Sequence, residues 1–314
     1  METVLEVEKL TKLYKNDRGV RNISFSVKKG DVLGLLGPNG SGKTTTINCL
    51  LSLLSYEKGE VEIFGKKMSP DNYEVKKDIG VVMQNVAVFD ELTVYENIDY
   101  FCGLYITDKE KRAKLVEEAI EFVGLEDFKK FYPKKLSGGL LRRLNIACGI
   151  AHKPRLIIFD EPTVAVDPQS RNKILEGIER LNREGATIIY TSHYMEEVEQ
   201  ICTRIASMDK GKSRAIGTKD ELKKLIRNTE TISIEIAKPT DEDMKEISSL
   251  PHVYETEYEN SKLVVRYSGG KHNLIRLMNL LSDKQYNMGR VYSEIPTLND
   301  VFLEITGTAL RDSE

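Results

Sequence analysis

The chain has 314 residues, 40% hydrophobic and 30% charged, enough for a buried core under a charged surface and a length that suggests about two domains. Its formal net charge of −3 is too small to point to nucleic acid or acidic polymers as partners. The cysteines, Cys49, Cys102, Cys148 and Cys202, are scattered rather than spaced as metal ligands, which suits a reducing compartment.

The first segment, METVLEVEKL, is charged and alternating, unlike a secretory signal, and reads as a half-buried strand. ISFSV and VEIFG alternate in the same way. DVLGLLG is a short apolar run ending in glycine, and the helical stretch TTTINCLLSLL comes next. From about Leu92 to Leu136 the texture turns helical, in ENIDYFCGLY and KRAKLVEEAIEFVGL. RLIIFDEP and ATIIYTSH then read as buried strands, the second leading into a charged helix, YMEEVEQICTRI. Strands alternating with helices predict a mostly parallel core sheet with an inserted helical subdomain.

After about Gly217 the pattern changes to ETISIEIA (strand), DEDMKEISSL (helix), VYETEYE and KLVVRYS (strands), HNLIRLMNLLSDK (helix) and MGRVYSEI (strand). That βαββαβ order predicts a small α+β domain of the ferredoxin-like kind, with a last helix in TLNDVFLEITG. The expected boundaries are 1–218 for the first domain, with its helical subdomain at about 92–150, and 219–314 for the second. No apolar run approaches the roughly 18 residues of a membrane helix, so any membrane role is expected to work through a partner chain.

The motif GPNGSGKTT, Gly37 to Thr45, fits the phosphate-loop pattern and lies between a predicted strand and a predicted helix. Glycines let the backbone curl so that several N–H groups face one phosphate cluster, and the helix adds its positive end. Lys43 is expected to reach the β- and γ-phosphates. The Thr44 hydroxyl is expected to ligate Mg2+, and Thr45 to lie near the α-phosphate. RLIIFDE delivers two carboxylates from the end of a buried strand. Asp160 can hold Mg2+ through water, and Glu161 can act as general base on the attacking water. In LSGGL, Ser137, Gly138 and Gly139 open a helix and expose free N–H groups. Taken alone, Ser137 reads as an N-cap. Beside a phosphate loop, the segment reads as a second phosphate surface, which implies that two molecules sandwich the nucleotide. A second Ser-Gly-Gly, in YSGGK at Tyr267 to Lys271, is followed by no Asp-Glu strand and reads as a turn.

The ordered set Tyr14, GPNGSGKTT, Gln84, LSGGL, LIIFDEP, AVDP and His193 resembles the ATP-binding subunit of an ATP-binding-cassette (ABC) transporter, over roughly residues 3 to 218. EPTVAVDP, TSHYMEEVEQIC and PTLNDVFLEITG resemble the branch that pairs with ABC-2-type exporter membrane subunits. The resemblance implies a P-loop NTPase of the ABC ATPase fold, an α/β domain whose core sheet is mixed and mostly parallel, with an antiparallel β part. It implies ATP and Mg2+ as ligands, bound by Gly37, Pro38, Asn39, Gly40, Ser41, Gly42, Lys43, Thr44 and Thr45. Tyr14 would stack on adenine. Gln84 would touch Mg2+ or the attacking water, and NVAVFDELTV after it would lie near the membrane partner. Asp167 would cross a dimer interface, and His193 would bond the γ-phosphate and steady Glu161.

The partners implied are a separate multi-span membrane permease subunit and a second ATP-binding subunit, identical or paralogous. The chain would sit at the cytoplasmic face of the cell membrane, with no nucleic-acid partner. Two positions depart from the family pattern: Leu140 replaces the signature glutamine, and Ala165-Val166 replaces Gly-Leu. Neither removes a charge or a metal ligand. The alternative class is an ABC ATPase that works outside transport, such as a cofactor-assembly ATPase, which would leave the C-terminal domain unexplained.

Overall fold

The computed structural model describes residues 2–15, 18–226 and 229–306. One compact unit ends at Lys219 and a second begins at Asp220. The predicted C-terminal domain reaches residue 314; of it, 227–228 and 307–314 lie outside the described residues.

The first unit opens with β1 (Thr3–Leu13), β2 (Gly19–Lys28), β3 (Val32–Leu36), α1 (Lys43–Leu50), β4 (Lys58–Ile63) and β5 (Lys66–Lys67). Then come α2 (Tyr73–Lys76), β6 (Ile79–Val82), α3 (Val94–Gly103), α4 (Lys109–Val123), α5 (Gly138–Ile150) and β7 (Leu156–Asp160). The unit closes with α6 (Pro168–Arg183), β8 (Thr187–Ser192), α7 (Met195–Ile201), β9 (Arg204–Asp209), β10 (Lys212–Thr218) and the start of α8 (Lys219–Lys223). One sheet is antiparallel, in the order β2-β1-β4-β5. The other runs β10-β9-β3-β8-β7-β6 and is parallel except where β10 meets β9.

The strands at the centre of the second sheet are apolar runs because both of their faces are covered. β3, β7 and β8 are buried at every position. A single core joins Leu5 and Leu10 of β1, Ile23 of β2, Leu33 and Leu35 of β3, Ile47 and Leu50 of α1, and Ile158 of β7. Each such side chain contributes about 1.5–3 kcal/mol by leaving water, and together they hold α1 between the two sheets. The parallel strands β3, β7 and β8 end on the same side, so the loops after them converge.

The helical stretch between β6 and β7 is punctuated by side-chain caps. Thr93 and Glu96 form a capping box at α3. Asp108 caps α4, and Gly124 ends it with a left-handed φ of 65°. Ser137 caps α5.

Several sequence-predicted boundaries move. The helix after His193 stops at Ile201, because Cys202 is extended and Thr203 donates its N–H to Val32. The following residues form β9 and β10, which the sequence pattern does not assign. Helix α1 stops at Leu50 rather than near Leu54, and Ser52 turns left-handed at φ 53°. The strand predicted to end in Gln84 ends at Val82, which leaves Gln84 in a loop.

The second unit continues α8 and then has β11 (Glu230–Glu235), α9 (Asp241–Ser248), β12 (Val253–Glu259), β13 (Lys262–Tyr267), α10 (Asn273–Asp283), β14 (Val291–Glu294) and α11 (Leu298–Thr306). Its sheet is antiparallel, in the order β12-β13-β11-β14. That is the ferredoxin-like strand order, with a core of Ile232, Ile234, Leu263, Val265, Leu277 and Leu281. The second Ser-Gly-Gly lies in the bend between β13 and α10.

Candidate active site

The loop from Gly37 to Gly42 joins the buried end of β3 to the first turn of α1. Gly42 precedes the helix at φ 103°, a conformation that L side chains rarely adopt, and a β-carbon there would stand 2.5 Å from Val20. Lys43 is 5% exposed, and its ammonium donates to the carbonyls of Gly37 at 2.8 Å and Pro38 at 3.3 Å. Ser41 Oγ is buried without a hydrogen-bond partner. Tyr14, Arg18, Asn39, Gly40, Thr45 and Gln84 line a cavity of about 380 Å³ with the loop, Thr44 and Glu161. Tyr14 is half exposed, just after β1.

At the end of β7, Asp160 is fully buried and accepts hydrogen bonds from Thr44 Oγ1 at 3.0 Å and Thr191 Oγ1 at 2.6 Å. Thr44 and Asp160 thus present hard oxygen donors side by side, the donor chemistry that suits Mg2+. Glu161 follows in a left-handed conformation, φ 48°. Its N–H donates to Thr191 Oγ1 at 2.9 Å. Strain of this kind persists only where surrounding bonds over-determine the backbone, and it concentrates at functional sites.

Three of the residues singled out from the sequence meet on the Glu161 carboxylate. Lys43 Nζ lies 3.2 Å from Oε1, in an ion pair nearly closed to water. Gln84 Nε2 donates to Oε2 at 3.3 Å. His193 Nδ1 stands 3.5 Å from the same oxygen, without a directed hydrogen bond. A carboxylate so placed can accept a proton from water while a cation beside it faces the phosphate loop.

Ser137, Gly138 and Asp167 stand apart from this cluster, at the exposed starts of α5 and α6. Ser137 Oγ accepts from Leu140 N–H at 3.3 Å, so within one molecule it is the cap of α5. Gly139 is buried, whereas Gly138 has open space where a β-carbon would sit. Asp167 caps α6 by accepting from Ser170 N–H at 2.9 Å, and that bond holds its carboxyl below its usual value. Leu140 is half-buried, and Ala165 is left-handed at φ 58°.

Residues 20–164 match the model of the family described as ABC transporter, and residues 217–306 match that of the ATP-binding protein DrrA1-3-like C-terminal domain. The chain is similar to the linearmycin resistance ATP-binding protein LnrL of Bacillus subtilis (strain 168), 38% identical over 312 residues, which cover 98% of this chain and 100% of that protein.

The chain belongs to the ABC transporter family of ATP-binding proteins.

It is also similar to the Nod factor export ATP-binding protein I of Ralstonia nicotianae, at 32% identity over 98% of this chain and 95% of that one. Among solved structures, its fold is like that in "Dimeric Structure of MJ0796, a Bacterial ABC Transporter Cassette", with a TM-score of 0.62, 29% identity and coverage of 68% of this chain and 98% of that chain. The ABC cassette of this chain is therefore an ATP-binding and ATP-hydrolysing transporter subunit.

Sequence reasoning missed several residues of this ABC site. Thr191 joins Asp160 to the Glu161 backbone; its only signal was its place two residues before His193. Asn97, fully buried, donates to the carbonyls of Phe89, Leu92 and Thr93 and shapes the loop after Gln84. Glu197 accepts from Tyr190 Oη and Ser192 Oγ, both at 2.7 Å, and backs the turn that carries His193. Arg142 is buried to 4% exposure, and desolvation lowers its pKa from the ordinary arginine value against the raising influence of Asp160.

Proposed function

We propose that this chain drives export through a separate multi-span membrane subunit, by ATP-dependent association with a second ATP-binding subunit at the cytoplasmic face of the cell membrane. The observation that carries the reading is similarity along 98% of the chain, the C-terminal domain included, to ATP-binding proteins named for resistance and export. No helix among the described residues is long and apolar enough to cross a membrane. The transport path therefore belongs to a partner. We read residues 1–218 as the ATP-binding domain, with a helical subdomain at about 92–150, and residues 219–314 as an accessory domain.

The roles follow from position. The loop Gly37–Thr45 binds the phosphates, with Lys43 toward the β- and γ-phosphates, and Tyr14 stacks on adenine. Thr44 and Asp160, with Gln84, hold Mg2+, which would neutralise phosphate charge and orient the γ-phosphate. Glu161 takes a proton from the attacking water, which Gln84 touches, and His193 bonds the γ-phosphate and steadies Glu161. Ser137, Gly138 and Gly139 meet the nucleotide held by the other subunit, and Asp167 lies at the same interface. The sandwich reading draws support from the exposure of Ser137 and Gly138.

Tyr100, Leu104 and Phe131 are exposed on the helical subdomain, and Phe89, exposed in the loop before it, packs edge-on against Tyr100 with ring centroids 5.0 Å apart. Large apolar groups exposed along one subdomain in this way are candidates for an interaction surface. We assign it to the membrane subunit.

The test is purification of the full-length chain from detergent-solubilised membranes of its own cell. Stoichiometric recovery of a multi-span membrane protein is expected. Recovery of the chain from the cytosolic fraction alone, with no such partner, would overturn the export reading.

A further inference from the structure

Arg142 lies within the first two turns of α5, yet it points inward and is almost closed to solvent. Its guanidinium faces five backbone carbonyls, with Nε donating to Pro162 at 2.7 Å, Nη1 to Met83 at 2.9 Å and Gln84 at 2.7 Å, and Nη2 to Glu161 at 2.8 Å and, at 3.4 Å, to Asp160. Those carbonyls belong to two separate segments. One is the loop after β6 that carries Gln84, and the other is the end of β7 that carries Glu161. The planar fork of arginine has five N–H donors in fixed directions, so one side chain can hold both segments at once.

Glu161 needs such a partner. Its left-handed backbone is strained, and its peptide groups are pinned on both sides. Thr191 receives its N–H, and Arg142 donates to its carbonyl. Arg142 also fixes the Gln84 carbonyl, at the base of the side chain that donates to the Glu161 carboxylate. Through its own backbone it ties both to the helix that Ser137 opens.

We propose that Arg142 is a positioning residue for hydrolysis, which locks the backbone of Glu161 and Gln84 into one unit and joins that unit to the signature helix. It touches neither nucleotide nor the reacting atoms. The inference rests on the reading of Glu161 as base.

The test uses the full-length chain with Arg142→Lys, which keeps the charge and most of the bulk but cannot reach five carbonyls. ATP hydrolysis, ATP binding and thermal stability are measured together. The expected result is a fall of about tenfold or more in kcat, with ATP affinity changed less than about threefold. Combined with Gln84→Ala, it should cost no more than the worse single change, because the two act through one unit. In Arg142→Ala, methylguanidinium should restore part of the lost rate and methylammonium should not. A purely structural arginine would lower ATP affinity and thermal stability along with kcat, and its loss would multiply with that of Gln84→Ala.

A kcat for Arg142→Lys within about twofold of wild type, or losses that multiply with Gln84→Ala, overturns the inference. Glu161→Gln separates the two levels. If it hydrolyses ATP normally, the base reading fails. If it is inactive while Arg142→Lys is normal, only the role of Arg142 fails.

Discussion

A β-carbon on Gly139 would lie 2.3 Å from Ser170 Oγ and 2.8 Å from Ser170 Cβ. The signature turn and the first turn of α6 therefore touch within one molecule, at a distance only glycine allows. Gly138, next in line, has nothing within 4 Å of the same construction. Packing within the single chain therefore requires glycine at position 139, whereas at position 138 the chain itself leaves room for a side chain.

These two positions can be separated by alanine. Gly139→Ala should destabilise the chain by about 1–3 kcal/mol, the range for overpacking a tight contact. Gly138→Ala should leave stability unchanged or raise it by up to about 0.5 kcal/mol, since alanine favours a helix. It should still bind ATP but lose ATP-dependent dimerisation. Urea denaturation and size-exclusion chromatography with ATP read the two effects. Undiminished dimerisation of Gly138→Ala would sink the sandwich reading of this turn.

Glu161 is the meeting point of Lys43, Gln84 and His193. Glu161→Gln keeps the shape and removes the basic carboxylate. Steady-state hydrolysis should fall by about 100-fold or more, in the range for loss of a general base, while nucleotide affinity stays near that of the wild type. The dimer formed on ATP should persist, since the step that dissolves it is blocked. Hydrolysis at the wild-type rate would remove Glu161 from the role of base.

Ala165 stands where the family pattern has glycine, and the backbone explains that preference. It is left-handed at φ 58°, in the turn between Glu161 and Asp167. An alanine β-carbon there costs about 1–2 kcal/mol, part of which glycine would give back through the greater freedom of its unfolded chain. Ala165→Gly should therefore stabilise the protein by about 0.5–1 kcal/mol, read from urea midpoints. No gain would mean that the turn relaxes around alanine.

Much of the site was readable because its requirements are local. GPNGSGKTT specifies its own backbone, and an apolar run such as LIIF settles only as a buried strand, whose end carries Asp160 and Glu161 to the phosphate loop. The residues that escaped depend on segments far apart in sequence. Arg142 looks like half of an arginine pair on an exposed helix face until the carbonyls of Met83, Gln84 and Glu161 surround it. Strand β9, RIASMD, shows neither alternation nor a continuous apolar run. It becomes a strand because β3 and β10 accept it on either side. Ser137 reads from the sequence both as cap and as ligand. Within one molecule it caps α5, and its exposure leaves it free to meet a second one.

His152 supports a prediction about acid. Its ring stacks on Tyr105 with centroids 4.0 Å apart, in a buried position after α5. Burial pushes its pKa down from 6.5 to about 4. Between those values the unfolded chain holds a proton that the folded chain refuses, so acid favours unfolding. This contribution to stability is fully present above about pH 6.5 and is lost as pH falls toward 4, below which both states are protonated and the loss stops growing. The full difference corresponds to about 3 kcal/mol at 1.36 kcal/mol per unit. His152→Gln cannot take up this proton. It should be less stable than wild type at pH 7, through the lost ring stack, but its stability should fall less steeply between pH 6.5 and 4. Urea midpoints of the two proteins at pH 7, 6, 5 and 4 give the comparison, and taking the difference removes the other titrating groups. Parallel curves for the two proteins would show that His152 is protonated alike in the folded and unfolded states.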